Sequence, residues 1–278
     1  MQTIKNQTFP QERALYASKN IILEQCSFEG KEDGESALKE CDSITAVECT
    51  FKLRYPFWHT NNSKVLNCSL TQDCRAAFWY CNNINIEKSK LHGIKALREC
   101  RNVAISECDI ISPEFGWFSS NIALENCTAQ SEYFMLQAKS LNFSNFNFKG
   151  KYSFQYIQDS VFENCIFDTK DAFWHAQNIV VKNSIIKGEY LAWYSDGLTL
   201  ENCVIEGTQP LCYCNNLKLI NCQMNNTDLC FEKSHVDATI TTHVISIKNP
   251  YSGNITVPSV NQIIIDDKTS KATISTLN

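Results

Sequence analysis

Two pentapeptides, "ALKEC" at residues 37–41 and "ALREC" at 96–100, each set a cation beside a carboxylate. Lys39-Glu40 and Arg98-Glu99 are the candidate catalytic residues. A glutamate can give or take a proton at a scissile bond, and an adjacent cation can steady the charge that develops there. The pairs Trp58-His59, Trp79-Tyr80, Trp117-Phe118, Trp174-His175 and Trp193-Tyr194 are the candidate ligand-binding residues. Such rings offer broad apolar surface with polar tips, suited to sugars or to another protein. Neither a metal centre nor a cofactor is expected. The zinc-type CxxC pairing is absent, Cys212-Tyr213-Cys214 being the nearest pattern, and His92, His235 and His243 make no cluster. His59 and His175 stand six repeats apart, roughly 29 Å at the spacing of stacked strands.

The elements that position these residues follow from a repeat. Stepping back by 19 from Cys222 lands on Cys203, Ser184, Cys165, Phe146, Cys127, Cys108 and Ser89 without an insertion. Cys68, Cys49 and Cys26 continue the series at steps of 21, 19 and 23. With Ala77 as position 1, position 8 is apolar (Ile84, Val103, Ile122, Leu198) and so is position 10 (Ile86, Ile105, Leu124, Leu200). That alternation is a strand with one buried face. Position 17 is Gly at 30, 93, 150, 188 and 207, which signals a turn.

An array of this kind is a solenoid. The expected fold is all-β, a single-stranded right-handed parallel β-helix of about 11–12 coils, mostly 19 residues each. A leucine-rich-repeat-like solenoid is the alternative, since "LKLINCQM" approaches that consensus. The short period, the lack of helical pattern and the small residues at position 5 favour the β-helix. Asn recurs at position 7 (Asn62, Asn83, Asn102, Asn121) and at position 12 (Asn126, Asn145, Asn164, Asn183), where stacked amides can bond along the array. Of the 15 Cys, eight fall at position 13 and four at position 5, both inward by pattern. Free Cys there acts as a small buried hydrophobe. Cys74, Cys212 and Cys230 lie off the two ladders and are the candidates for other chemistry.

One domain over 1–278 is expected, with an N-terminal half coil at 1–13, regular coils over 14–235 and capping strands over 236–278. "EGKEDGES" reads as an inserted acidic loop. The net charge of −5 argues against a nucleic-acid partner. No apolar run approaches a membrane span, and the polar N-terminus lacks a signal-peptide core. An odd Cys count without an export signal points to the cytoplasm.

The repeat grammar resembles the right-handed parallel β-helix superfamily that includes pectate lyases and polygalacturonases. More closely, "QERALYASKNIILEQCSF", "DGESALKEC", "YPFWHTNN", "AFWYCNN", "PLCYCNN", "HVDATI" and "SIKNPYSGNI", in that order over about residues 2–265, resemble a family of bacterial proteins catalogued only as a domain of unknown function. The resemblance implies the β-helix and no activity. The polygalacturonase pattern does not carry over: Asn226-Thr227-Asp228 and Asp266-Asp267 stand at unmatched spacing, and its Gly-His-Gly and Arg-Ile-Lys are missing.

All five Trp occupy position 3, alongside Lys39, Arg98, Gln155, Cys212 and Phe231, and position 4 is mostly aromatic or Glu. Positions 2 and 5 look buried, so 3 and 4 should form a lengthwise stripe with an exposed rim. Stacked rings can simply stabilise a solenoid. They can also receive a ligand. The leading functional expectation is a non-enzymatic module that binds carbohydrate on this stripe. The alternatives are a carbohydrate-active enzyme, with Glu99 or Glu40 as acid and Arg98 or Lys39 as charge stabiliser, and a protein-interaction scaffold.

Overall fold

The computed structural model describes residues 2–30 and 35–277. Residues 31–34, the middle of the expected acidic loop, lie outside the described residues. The chain folds as two compact units, Met1–Asn142 and Phe143–Asn278. The 19-residue step continues through that boundary in the sequence, so nothing in the spacing marks it.

Each unit is a parallel β-solenoid, and no helix occurs among the described residues. In the first unit the long strands Gln2–Lys5, Lys19–Glu24, Asp42–Val47, Asn61–Leu66, Asn82–Glu87, Arg101–Ser106 and Ser120–Glu125 pair in turn. Ile84 is in register with Val103, which is in register with Ile122. Positions 8 and 10 thus stack on themselves and point inward, as the alternation predicts. A second sheet carries position 15, with Leu91 paired to Leu70 and Ile110. A third is formed by Phe57–Trp58, Phe78–Trp79 and Leu97–Arg98. In the second unit Gln158–Glu163, Gln177–Lys182, Asp196–Glu201, Leu217–Asp228, His235–Ile240, Ser252–Val257 and Thr273–Thr276 form the long-strand sheet.

The C-terminal segment differs from expectation. It does not cap the array but continues it: Val236 pairs with Gly253, a step of 17, and Ser246 with Gln262, a step of 16. With these shorter coils the chain makes about 14 turns rather than 11–12. The coil shortens where the inward Cys at position 13 ends, so a search for that residue loses the period there.

The bends explain the asparagines. Asn62, Asn83, Asn102, Asn121, Asn178 and Asn216 at position 7 all have φ between 49 and 57°, and Asn67, Asn126, Asn183 and Asn202 at position 12 between 48 and 53°. Asn tolerates this left-handed conformation better than most residues. Its amide also bonds along the stack: Asn83 Nδ2 donates to Asn62 Oδ1 at 2.7 Å and Asn121 Nδ2 to Asn102 Oδ1 at 2.6 Å. Asn102 itself reaches sideways, to Asn82 Oδ1 at 2.8 Å. Asn102→Val should therefore destabilise the fold by roughly 2 kcal/mol, through a strained β-branched φ and two lost hydrogen bonds. Asn102→Gly should cost less, because it loses the bonds alone. Urea unfolding of the two variants checks the order.

All 15 cysteines are free and buried. They do more than fill space. Cys49 Sγ donates to Val47 O at 3.4 Å, and its backbone N–H donates to Cys68 Sγ at 3.3 Å; Cys68 N–H in turn reaches Ser89 Oγ at 3.0 Å. A side chain at position 13 thus satisfies the inward amide of the preceding coil, which a methyl group would leave unpaired. This is why Cys and Ser interchange there. Position 5 repeats the device, with Cys100 N–H donating to Ser119 Oγ at 3.1 Å.

Candidate functional site

Positions 3 and 4 follow directly on the fully buried position 2, where Phe57 and Phe78 stack at 4.7 Å. In the first unit Trp58 and Trp79 are register partners, half-buried, with ring centroids 5.7 Å apart and planes 16° apart. The Lys39 ammonium lies 4.2 Å from the Trp58 ring. The Arg98 guanidinium lies 5.9 Å from Trp79, 5.4 Å from Trp117 and 5.5 Å from Phe118. At these two coils a cation takes the place of a position-3 ring, Arg98 between the quadrupoles of Trp79 and Trp117 and Lys39 against that of Trp58. The two candidate charge stabilisers are thus engaged with tryptophans.

The candidate acids are engaged as well. Glu99 Oε1 accepts from Trp79 Nε1 at 3.3 Å and from Arg98 Nε at 3.1 Å. Glu40 accepts from the Tyr16 hydroxyl at 2.6 Å, a bond that pushes the Tyr16 phenol up, and lies 3.9 Å from Lys39. Glu40 and Glu99 are three coils apart, about 14 Å at the strand spacing. That exceeds the separations used in either route of glycoside hydrolysis.

Position 4 holds a feature the sequence does not disclose. His59, Tyr80 and Phe118 in the first unit, and Tyr156, His175, Tyr194 and Tyr213 in the second, all have φ between 54 and 61°. Bulky residues rarely adopt this conformation. Asn, the commonest residue at the bends of positions 7 and 12, would do so at lower cost. The rings stack from coil to coil: His59 on Tyr80 at 5.0 Å, Tyr156 on His175 at 4.9 Å, His175 on Tyr194 at 5.1 Å and Tyr194 on Tyr213 at 4.8 Å. Planes in the second-unit ladder differ by 7, 9 and 12°. Ring faces therefore meet one another, and the surface displays ring edges. Tyr80, Phe118, Tyr156 and Tyr194 are 40, 42, 46 and 47% exposed.

Beneath this ridge, Trp174 and Trp193 stack at 5.5 Å with planes 4° apart. Their indoles donate to Tyr190 O at 2.7 Å and Gln209 O at 2.8 Å, and Trp117 donates to Tyr133 O at 3.0 Å. The buried Trp58 Nε1 has no partner among the described residues. The expected rim exposure at position 3 fails for Cys212 and Phe231, both fully buried. Tyr213, T-shaped against Trp193 at 5.4 Å, contacts that ring instead. Position 19 was missed altogether: Tyr55 lies 6.0 Å from Trp58 and 6.1 Å from Trp79, and Tyr190 packs on Trp193 at 5.2 Å. Tyr recurring at 55, 133, 152 and 190 was the available signal.

Among the described residues no three His, Cys, Asp or Glu side chains gather as metal ligands, and no helix is long and apolar enough to cross a membrane. Cys74, Cys212 and Cys230 are buried, and burial pushes each thiol up, that of Cys212 to about 12. This makes them poor nucleophiles.

No curated protein matches the chain. Among solved structures it is similar to PfbA, a surface adhesin of Streptococcus pneumoniae, at 9% identity and a TM-score of 0.33, covering 88% of this chain and 84% of that one. It is also similar to the A-module of the mannuronan C-5 epimerase AlgE4 of Azotobacter vinelandii, at 8% identity and a TM-score of 0.30, covering 98% and 89%. A third is the catalytic domain of a GH87 alpha-1,3-glucanase in complex with nigerose, at 7% identity and a TM-score of 0.29, covering 99% and 63%. At these identities and scores no residue role passes from them to this chain. A family model matches residues 2–277, and the chain belongs to that family, the proteins of unknown function designated DUF3737.

Proposed function

We propose that this protein is a non-enzymatic binding module whose ligand lies along the exposed aromatic ridge at position 4, with carbohydrate as the ligand class. One observation carries the reading: bulky rings stand in register at the exposed position 4 in a left-handed backbone conformation that Asn most often fills at positions 7 and 12. Face-to-face stacking, worth roughly 0.5–1.5 kcal/mol per pair, offsets a conformational cost of roughly 1–2 kcal/mol and leaves little net gain in stability. A use at the surface supplies the remaining reason. Ring edges tipped with the hydroxyls of Tyr156 and Tyr194 and the imidazole of His175 recur once per coil. That is a row of polar groups for a chain of hydroxylated rings. Catalysis is disfavoured by the separation of Glu40 and Glu99. The same reading places the protein in the cytoplasm, where unpaired thiols stay reduced.

Tyr194→Asn tests it. Asn relieves the backbone and loses the stacks on His175 and Tyr213, so unfolding free energy should fall by less than about 2 kcal/mol. Affinity for a glycan found by array screening should fall about tenfold, the usual effect of removing an interface aromatic. Glu99→Gln should leave that affinity unchanged, and no hydrolysis should accompany binding. A Tyr194→Asn protein that loses several kcal/mol of stability and binds as before would make the ridge purely structural.

A further inference from the structure

Among the described residues one fully buried side chain carries a carboxylate: Asp171, 7% exposed. It stands at position 19 of the second unit, where Tyr152 precedes it by one coil and Tyr190 follows it by one. All three sit in the same left-handed bend, with φ of 50, 54 and 57°. The backbone of Asp171 is bonded to the coils on either side. Its N–H donates to Glu189 O at 3.0 Å, and its O accepts from Gln155 Nε2 at 3.2 Å. The carboxylate itself accepts no hydrogen bond and forms no ion pair among the described residues. Lys170, next in the chain, is exposed and does not reach it as an ion pair. In the first unit Glu114, at the same repeat position, has Lys95 one coil earlier at 3.6 Å. Asp171 thus takes the place of a tyrosine. It leaves a ring's place empty between Tyr152 and Tyr190, with an unpaired charge at the bottom. Trp174 borders this notch, its indole reaching across to Tyr190 O at 2.7 Å. A buried charge without a partner is costly. Burial accordingly pushes the Asp171 carboxyl up, against an opposing pull from Lys170, and Glu189 adds to the rise.

We infer that this notch binds the protonated amine of an amino sugar, its ammonium on the Asp171 carboxylate between Tyr152 and Tyr190. The first unit solves the same problem within the chain. Where Arg98 replaces a ring at position 3, its guanidinium lies between Trp79 and Trp117, 5.9 and 5.4 Å from them. At Asp171 the chain supplies an anion instead, so the cation must come from outside. Aromatic walls favour a positive head, and a charge-assisted hydrogen bond is stronger away from water. The narrow opening over Asp171 suits an ammonium better than the broader guanidinium. A hard metal ion wants about six or more oxygens, and no three acidic or imidazole side chains gather as ligands among the described residues. Placing the amine on a sugar rests on the carbohydrate reading proposed above. Asp171 lies four residues before His175, so the notch adjoins the ridge.

Calorimetry on the full chain tests it, with triglucosamine, its N-acetylated counterpart and calcium chloride as probes and wild type, Asp171→Asn and Asp171→Tyr as proteins. Asp171→Asn removes the buried charge, and Asp171→Tyr rebuilds the column in a bend that Tyr152 and Tyr190 already accept. Both should melt no lower than the wild type. Triglucosamine should bind the wild type, about tenfold more weakly to Asp171→Asn, and not measurably to Asp171→Tyr. The N-acetylated trimer keeps the rings and loses the charge, so it should bind the wild type more weakly than triglucosamine does and gain nothing from Asp171. Calcium should not displace triglucosamine. The tenfold loss should persist in a Tyr194→Asn background, which separates the notch from the ridge. No binding of triglucosamine, equal binding by Asp171→Asn, equal affinity for the N-acetylated trimer, or displacement by calcium overturns the notch. A neutral glycan lost only in Tyr194→Asn, with no preference for the amine, would overturn it and leave the ridge standing.

Discussion

Alkaline titration should unfold this protein between about pH 8.5 and 11, as its buried thiols are drawn toward ionisation. Burial pushes the thiols of Cys41, Cys165 and Cys214 up to about 11 and that of Cys212 to about 12. All four are at most 1% exposed. In the unfolded chain a thiol ionises near 8.5. A group with a raised folded pKa stabilises the fold fully below its unfolded value, and that contribution is lost as pH rises toward the folded value. By pH 11 each thiol has withdrawn on the order of 3 kcal/mol, and the four together about as much as a domain's whole stability. Tryptophan fluorescence and thiolate absorbance should therefore change together. Cys214→Ser should move the midpoint upward, since Ser serves position 5 at Ser119 and Ser195. At pH 8 a thiol reagent should find almost none of the 15 cysteines in the native protein and all of them after unfolding without reductant. Thiolate formation near pH 8.5 with the fold intact, or disulfides in the isolated protein, would refute the prediction.

Gly207→Ala should cost roughly 3–5 kcal/mol or prevent the second unit from folding. Gly207 has φ +134°, a region open to glycine alone, and an added Cβ would stand 2.0 Å from Gly188 O. Gly188, one coil earlier, is bound in the same way, its Cβ 1.8 Å from Thr169 O. The clash is with backbone at the strand spacing, so no rotamer relieves it. Gly150 occupies the same repeat position, paired with Thr169, but is not among the glycines at positive φ, and no atom crowds the place of its Cβ. Gly150→Ala should be mild. Urea unfolding of the two variants separates the cases; equal midpoints would show that the turn can open.

Much of the fold and part of the site were legible in the residues, for one reason. In a solenoid the tertiary neighbour of residue i is residue i ± 19, so a period in the sequence is a contact in space. Ile84, Val103 and Ile122 announce a buried ladder, and Trp58 and Trp79 announce a stack. The same logic lost its hold where the step fell to 17 and 16 beyond Cys222, which is why coils were expected to be a cap. Other things were beyond any pattern of residue types. The left-handed turn at His59, Tyr80 and Tyr194 is decided by how each coil closes, and residue identity there argues against it. That turn and the stacking it allows aim ring faces along the array and ring edges outward, so the ridge offers edges and polar tips. Tertiary structure also decided that Lys39 and Arg98 lie against the rings of neighbouring coils. In each case the outcome depends on side-chain direction, which one-dimensional spacing does not encode.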